Sequence, residues 1–253
     1  MNNLVKTGEK YMKKKLKVLG ISVLSLILVL IIGVGMIFKG EIRTLISFKQ
    51  LNEHPFYEMT YHADYNLDEF LINGAATDDE LVSFVTKQIL KGVSFDVNPD
   101  GACSTFIATN LEDENLFGRN FDYVHSIGLI VRTQPKNGYK SISLVNLNHL
   151  GLSLENMPTK NLINRIVTLA APYAPLDGMN EKGLAIGVLV IQDGKVHQNT
   201  GKVPITTTSA IRMVLDKAAT VDEAIELLKN YDMNSSGETG YHFQIADASG
   251  NTA

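Results

Sequence analysis

The sequence predicts a mixed α+β domain that follows one transmembrane helix. After Gly101 the hydrophobic pattern changes to short strands, and helical stripes interrupt these strands further along the chain. Residues 18–38 contain no charged side chain, which predicts the membrane helix. With 45% hydrophobic and 20% charged residues, the chain has the composition of an ordinary globular protein. It is long enough to bury a sizeable core.

The uncharged stretch 18–38 is long enough to cross a bilayer, whose hydrocarbon core of roughly 30 Å needs about 20 helical residues. A cleaved signal peptide would have a shorter apolar region and a small-residue cleavage site. Because this stretch is longer and ends in Met-Ile-Phe before Lys39, we favour an uncleaved signal anchor over a signal peptide or a buried core helix. Residues 1–17 carry six lysines against one glutamate. The positive-inside rule therefore predicts a cytoplasmic tail and an extracytoplasmic, cell-surface domain.

The charge distribution and the residue types exclude several classes of function. The total charge is −4, and residues 1–17 contribute +5, so the rest of the chain carries −9. Such an acidic body argues against nucleic-acid binding, which needs a basic face. The single cysteine, Cys103, rules out a disulfide scaffold and a cysteine-rich zinc site. The six histidines form no ligand pair, so we expect no bound metal and no cofactor.

The helices and strands of the body follow from periodicity and turn signals. Capping boxes at 77–80 and 220–223 open two of the helices. Helices are predicted at residues 41–52, 77–92, 161–169, 207–218 and 220–231. Between the first two helices we expect an irregular connector. Strands are predicted at residues 104–109, 116–123, 128–133, 141–146, 183–191 and 241–246.

A lone cysteine is most often a buried and inert residue, but the neighbours of Cys103 favour a reactive one. Cys103 opens the run Cys-Ser-Thr-Phe-Ile-Ala, and Arg119 and Asp122 follow in Leu-Phe-Gly-Arg-Asn-Phe-Asp. A third motif is Asp177-Gly-Met-Asn180-Glu-Lys-Gly-Leu. Together these motifs resemble the choloylglycine hydrolase superfamily, which includes bile-salt hydrolases, penicillin V acylases, acid ceramidase and N-acylethanolamine acid amidase. The resemblance covers residues 103 to 250.

The resemblance implies the N-terminal nucleophile fold, a four-layer αββα sandwich in which two antiparallel sheets lie between helices. It also implies hydrolysis of linear amide C–N bonds of small-molecule N-acyl compounds through a thioester on Cys103. In that family the cysteine attacks its own preceding peptide bond, here Ala102–Cys103, and the freed α-amine becomes the base. An α-amine has a pKa near 8, so one residue supplies both nucleophile and base. The run Pro99-Asp-Gly101 would supply the tight turn before the cysteine.

Three further residues receive roles from the resemblance, each beside a simpler alternative. Arg119 would favour the thiolate of Cys103, or else form a surface ion pair with the acids at 112–114. Asp122 would hold the α-ammonium, or else cap the end of a strand. Asn120, between them, is expected to point to the opposite face from both. Asn180 would donate an N–H to the tetrahedral oxyanion, or else be a simple turn residue.

The predicted organisation is a basic tail at 1–17, a transmembrane anchor at 18–38, a propeptide or small subunit at 39–102 and a catalytic domain at 103–253. The last strand is followed only by a tight turn, and a domain rarely ends on a half-made hairpin. We therefore expect a fragment of a longer enzyme. The resemblance implies that a second asparagine and a second arginine of the site lie in the missing C-terminal part. An acyltransferase of the same fold and an inactive surface binding protein remain alternatives, and a homo-oligomer is compatible with the sequence.

Overall fold

The computed structural model describes residues 2–95, 102–122, 126–191 and 194–253. The predicted turn at 99–101 lies outside these residues. Seven α-helices are described: α1 Asn2–Ile37, α2 Lys39–Ser47, α3 Leu67–Asn73, α4 Asp78–Gln88, α5 Leu162–Val167, α6 Thr207–Lys217 and α7 Val221–Leu228. Eleven strands are described: β1 Lys49–Gln50, β2 Phe56–Thr60, β3 Ala102–Thr109, β4 Asn115–Asp122, β5 Gly128–Thr133, β6 Ser141–Asn146, β7 Pro175–Asn180, β8 Ala185–Ile191, β9 Val203–Thr206, β10 Tyr231–Asn234 and β11 Gly240–Ala246. The predicted α+β class is confirmed.

Seven strands form the main sheet, in the order β1-β2-β5-β6-β7-β8-β11. All neighbours in it are antiparallel except β2 and β5, which run parallel. The strands β5 and β6 agree with the predicted bounds residue for residue. The last turn is also formed, and Thr252 bridges back to Ala246 beyond it.

The strand β2 corrects the prediction of an irregular connector before α4. Its side chains alternate, because Tyr57 and Met59 are buried while Glu58 faces Lys49 and Arg132. This alternation is typical of a strand with one buried face. Since β2 pairs with β5, the segment before Cys103 is built into the main sheet.

The larger hydrophobic core also joins the two sides of Cys103. Tyr57, Met59 and Phe70 from the N-terminal segment pack in one cluster with residues such as Leu129 and Val145. A second, smaller core lies between the main sheet and the helices α6 and α7. Removing residues 39–102 would therefore expose a large apolar surface of the remaining chain.

Two other predictions needed correction near the C-terminal end. The helix predicted to 231 ends at Leu228, and Tyr231 instead begins β10, which pairs in parallel with β9. The Asp177-Gly-Met-Asn180 motif was not predicted as a strand, but it forms most of β7 in the middle of the main sheet. Its small and polar residues do not give the alternating pattern of a strand, although the segment pairs with a strand on both sides.

The N-terminal helix α1 includes the predicted membrane span. Residues Lys15–Ile37 form one helix that is long and apolar enough to cross a membrane, and none of its most apolar window is buried against the rest of the protein. A signal sequence near the N-terminus would pass the same test of length and composition. After Phe38, the helix α2 packs beside β2.

Candidate active site

Cys103 lies on the antiparallel hairpin formed by β3 and β4. It pairs with Phe121, and Thr105 pairs with Arg119, so Cys103 and Arg119 leave the hairpin on the same face. The Nη2 atom of Arg119 lies 3.1 Å from the Sγ atom of Cys103. The Nη1 atom of Arg119 donates to the carbonyl of Asn120 at 2.7 Å. The guanidinium is therefore held beside the sulfur and does not point toward the acidic turn at 112–114.

Asp177 is the residue that sequence reasoning missed. Its Oδ2 atom lies 3.4 Å from the Nε atom of Arg119, and the two side chains are only 15% and 9% exposed. Within the described residues, neither of these two atoms makes a hydrogen bond, so the contact between them is an ion pair. Asp177 is the first residue of the third sequence motif, and this position was the feature of the sequence that could have identified it as a site residue.

The hairpin approaches the main sheet at Gly187, a residue of β8 that pairs with Asp177 of β7. A Cβ atom on Gly187 would lie 3.3 Å from the ring of Phe117 and 3.4 Å from the Arg119 side chain. The contact with Phe117 is tight, whereas the contact with Arg119 is an ordinary van der Waals distance. A larger residue would therefore press first on the Phe117 ring, and the glycine leaves room for the hairpin against β8.

Burial raises the pKa of Asp177 to about 6, although the charge of Arg119 and a backbone hydrogen bond from Leu144 act in the opposite direction. Above that pH the carboxylate is ionised and its charge balances that of Arg119. Below that pH the guanidinium loses its anionic neighbour. The two groups thus form a buried, pH-dependent unit next to Cys103.

Asp122 is placed beside the bond that was predicted to be cut. It pairs with Ala102 and is exposed. Asn120 shares its face of the strand and donates to its Oδ1 atom at 2.7 Å. The prediction that Asn120 faces away from Asp122 was wrong, because residues two apart on a strand point to the same side. Arg119, as predicted, lies on the other side.

Asn180 is not brought to the sulfur. Its Nδ2 group donates to the carbonyls of Leu215 and Ala218, at 3.0 and 2.7 Å. Its Oδ1 atom accepts from the amides of Lys182 and Leu184. Because Asn180 is three residues from Asp177 on β7, its side chain leaves the sheet on the opposite face. This saturated, buried position argues against the predicted oxyanion role and favours a structural one, which ties β7 to the end of α6.

Cys103 also lines an apolar pocket. The residues that line the pocket come from before and after Cys103 in the sequence. α4 and Phe95 lie before it in the chain, and β7 and β8 of the main sheet lie after it. Its apolar lining includes Leu81, Val85, Phe95, Leu150, Leu176, Val188 and Val190. Within the described residues, no group of three His, Cys, Asp or Glu side chains is arranged to hold a metal ion.

The part of the chain that begins at Cys103 matches a known protein family. A model of the linear amide C–N hydrolases, choloylglycine hydrolase family, matches residues 103–253, which is more than half of the sequence. The chain belongs to the choloylglycine hydrolase family. The N-terminal nucleophile fold predicted from the motifs is thus confirmed, and β3 and β4 form a two-stranded sheet of their own. The match begins at Cys103 itself.

Solved structures of choloylglycine hydrolase relatives are similar over part of their length. Penicillin V acylase from Agrobacterium tumefaciens is 18% identical with a TM-score of 0.39, and the match covers 58% of this chain and 44% of that one. A variant of conjugated bile acid hydrolase from Clostridium perfringens is 20% identical with a TM-score of 0.40, covering 59% and 46%. The matches therefore span less than half of these solved chains. No curated protein matches the sequence.

Proposed function

We propose that this protein is a self-processing cysteine amidase that hydrolyses linear amides of N-acyl compounds, with Cys103 as the nucleophile. The contact of 3.1 Å between Cys103 Sγ and Arg119 Nη2 carries the proposal. A guanidinium cannot lose its proton in proteins, so it keeps a positive charge beside the sulfur that attacks the carbonyl. Asp177 holds the guanidinium from its other side.

The first step of the proposal is cleavage of the Ala102–Cys103 bond. The sulfur of Cys103 attacks the carbonyl carbon of Ala102, and the C–N bond breaks as the nitrogen takes up a proton and becomes the free α-amine. Water then hydrolyses the thioester and releases residue 102 as a carboxylate. Asp122, which pairs with Ala102 on the hairpin, is the residue that we propose to hold the new ammonium group.

The second step is turnover of the amide substrate by the new N-terminus. The thiolate attacks the substrate carbonyl, and the departing amine takes a proton from the α-ammonium group of Cys103. The α-amine then accepts a proton from water, which attacks the thioester carbon and releases the carboxylic acid. This step restores both the thiolate and the α-ammonium group of Cys103.

The pocket at Cys103 supports a proposal for the substrate class. Its lining from α4, Leu176, Val188 and Val190 suits an apolar acyl group. An extracytoplasmic domain held by the span in α1 would act on amides that partition into lipid. We propose an N-acyl amide with an apolar acyl chain as the substrate.

The test is the intact mass and N-terminal sequence of the full-length gene product. A new N-terminus at Cys103, with hydrolysis of N-acyl amides, is expected for the wild type, whereas Cys103→Ala should remain uncut and inactive. An uncut wild type that hydrolyses amides would contradict the mechanism. Transfer of the acyl group to hydroxylamine or another amine in preference to water would instead favour an acyltransferase. Binding without turnover by a cleaved protein would favour an inactive binding relative.

A further inference from the structure

The structure carries an exposed apolar surface next to the end of the predicted membrane span. Ile46 of α2 is 77% exposed, and Leu162 and Ile163 at the start of α5 are 68% and 63% exposed. Ile42 is one helical turn before Ile46, on the same side of α2, and is also exposed. Leu154, in the loop before α5, is exposed as well. We call these five residues the basal patch.

Contacts between α2 and α5 bring the two parts of the basal patch together. The Nη1 atom of Arg165 donates to the carbonyl of Leu45 at 3.4 Å, and its guanidinium lies 4.5 Å from the ring centre of Phe48. Leu162 is one turn before Arg165 on α5, and Ile46 follows Leu45 on α2. The loop that carries Leu154 is tied to α5 by a hydrogen bond of 2.6 Å between Asn164 and Asn156.

The position of the basal patch along the chain indicates what covers it. The membrane span ends at Ile37, and α2 begins at Lys39. At 1.5 Å per residue, α2 is about 13 Å long, so Ile42 and Ile46 lie within about that distance of the membrane end of the span. Single exposed apolar residues are ordinary, but a cluster at this place is typical of a membrane-facing surface.

We infer that the basal patch rests on the lipid bilayer and seats the catalytic body against the membrane surface. This inference rests on the proposed anchoring through α1. Lys39, Arg43 and Lys160 flank the patch and supply cations for lipid phosphates. The segment 147–174 contributes both patch residues and pocket residues such as Leu150 and Ala170, so seating this segment holds the pocket of Cys103 close to lipid.

The test uses the absence of tryptophan from the sequence, since a single introduced tryptophan becomes the only one. We would place the full-length Leu162→Trp and, separately, Ile46→Trp proteins in vesicles of phosphatidylcholine and phosphatidylglycerol, with and without bromine on the acyl chains. On the order of twofold quenching by the brominated lipid is expected, because interfacial side chains enter about 5–10 Å into the headgroup boundary.

Two control variants separate the patch from the anchor. Leu28→Trp, inside the span, should be strongly quenched. Leu111→Trp, at the 99% exposed tip of the β3–β4 turn, should not be. That tip lies toward the β8 and β11 side of the sheet, where Asn115 contacts Ala248, whereas α2 packs on β2. β2 and β11 are separated by five strand spacings of about 4.8 Å.

Each outcome decides the inference. Quenching at positions 28, 46 and 162, but not at 111, is the expected result. Quenching at 28 alone would overturn the seating of the patch while leaving the anchor in place. No quenching at 28 would overturn both. The tryptophan at 162 could instead show blue-shifted emission that brominated lipid does not quench and that depends on protein density in the vesicle. This result would assign the patch to contact between copies of the protein and would also overturn the inference.

Discussion

The Nε atom of Arg119 lies 3.4 Å from Asp177 Oδ2, while the Nη2 atom of the same guanidinium lies 3.1 Å from Cys103 Sγ. One side chain thus connects the sulfur on β3 to a buried carboxylate on β7. The hairpin and the main sheet are separate sheets, and this contact joins them next to the sulfur. Three of the predictions below concern this connection or the residues near it.

The first prediction concerns Asp177→Asn. Because the pKa of Asp177 is raised to about 6, its charge is present above that pH and is lost below it. The wild type should therefore lose kcat/KM as the pH falls through about 6, and Asp177→Asn should be less active at neutral pH and lack this acid limb. The exposed Asp222→Asn on α7 is the matched control and should keep the wild-type profile.

The same pKa makes a second measurement on Asp177 possible. A carboxyl group with a raised folded-state pKa contributes stability that is fully present below its unfolded pKa, near 3.8, and lost as pH rises through about 6. Denaturant unfolding of the wild type should show this loss between those pH values, and Asp177→Asn should not. Identical profiles for both proteins would show that Asp177 is not the titrating group.

The second prediction concerns Arg119→Lys. Lysine keeps the charge, but a single ammonium group cannot hold the geometry in which one planar group reaches both the sulfur and Asp177. Loss of one charge-assisted hydrogen bond, about 1.5–3 kcal/mol, should slow thiol alkylation and turnover by roughly 10–100-fold. Arg132→Lys, at a largely exposed position, should leave both rates unchanged. Unchanged alkylation of Arg119→Lys would contradict the role given to the guanidinium.

The third prediction concerns Asn180→Ala. This change removes four hydrogen bonds to backbone groups from a residue that is 4% exposed. We expect a loss of about 2–4 kcal/mol of stability, since buried backbone groups are left without partners. Turnover per folded, thiol-titrated molecule should change little. A large fall in kcat without loss of stability would restore the oxyanion role, and Asn230→Ala, with one exposed hydrogen bond, is the control.

The fourth prediction concerns the two pieces after cleavage. Since β2 pairs with β5 and the larger core contains residues from both sides of Cys103, residues 1–102 should stay bound to the catalytic chain. Both pieces should elute together in mild detergent and separate only in denaturant. Met59→Asp, which places a charge in that core, should weaken the association, while Glu58→Asp on the opposite face of β2 should not. Ready separation of the wild-type pieces would contradict this arrangement.

The fifth prediction concerns the acyl chain of the substrate. Each methylene buried in the pocket contributes about 0.8 kcal/mol, so kcat/KM should rise roughly fourfold per carbon over the first several carbons. Val190→Phe, inside the pocket, should shift the optimum to shorter chains, and Leu189→Phe on the other face of β8 should not. A flat chain-length dependence with a sharp choice of amine would contradict an apolar acyl pocket. Preference for phenoxyacetyl over alkyl groups would point to penicillin V acylase-like specificity.

The sequence alone identified the family, the apolar span and six of the eleven described strands, because these depend on local motifs and on alternation along one segment. The strands β5 and β6 each pair with a strand on both sides and alternate between buried and more exposed side chains, and they were predicted at their observed bounds. The β3–β4 hairpin was also predicted, and its register places Arg119 beside Cys103.

Only the tertiary structure decided which distant residues complete the candidate site. Asp177 and Asn180 lie three residues apart in one motif, and strand alternation sends one toward Arg119 and the other toward α6. Sequence reasoning chose Asn180 for its amide and passed over Asp177, since burial and pairing depend on β4, β7 and β8 meeting in space. The segment before Cys103 is a second example. Its strand and its pocket residues could be recognised only in the structure, where β2 pairs with β5. Such pairing depends on long-range contacts that no local sequence pattern encodes.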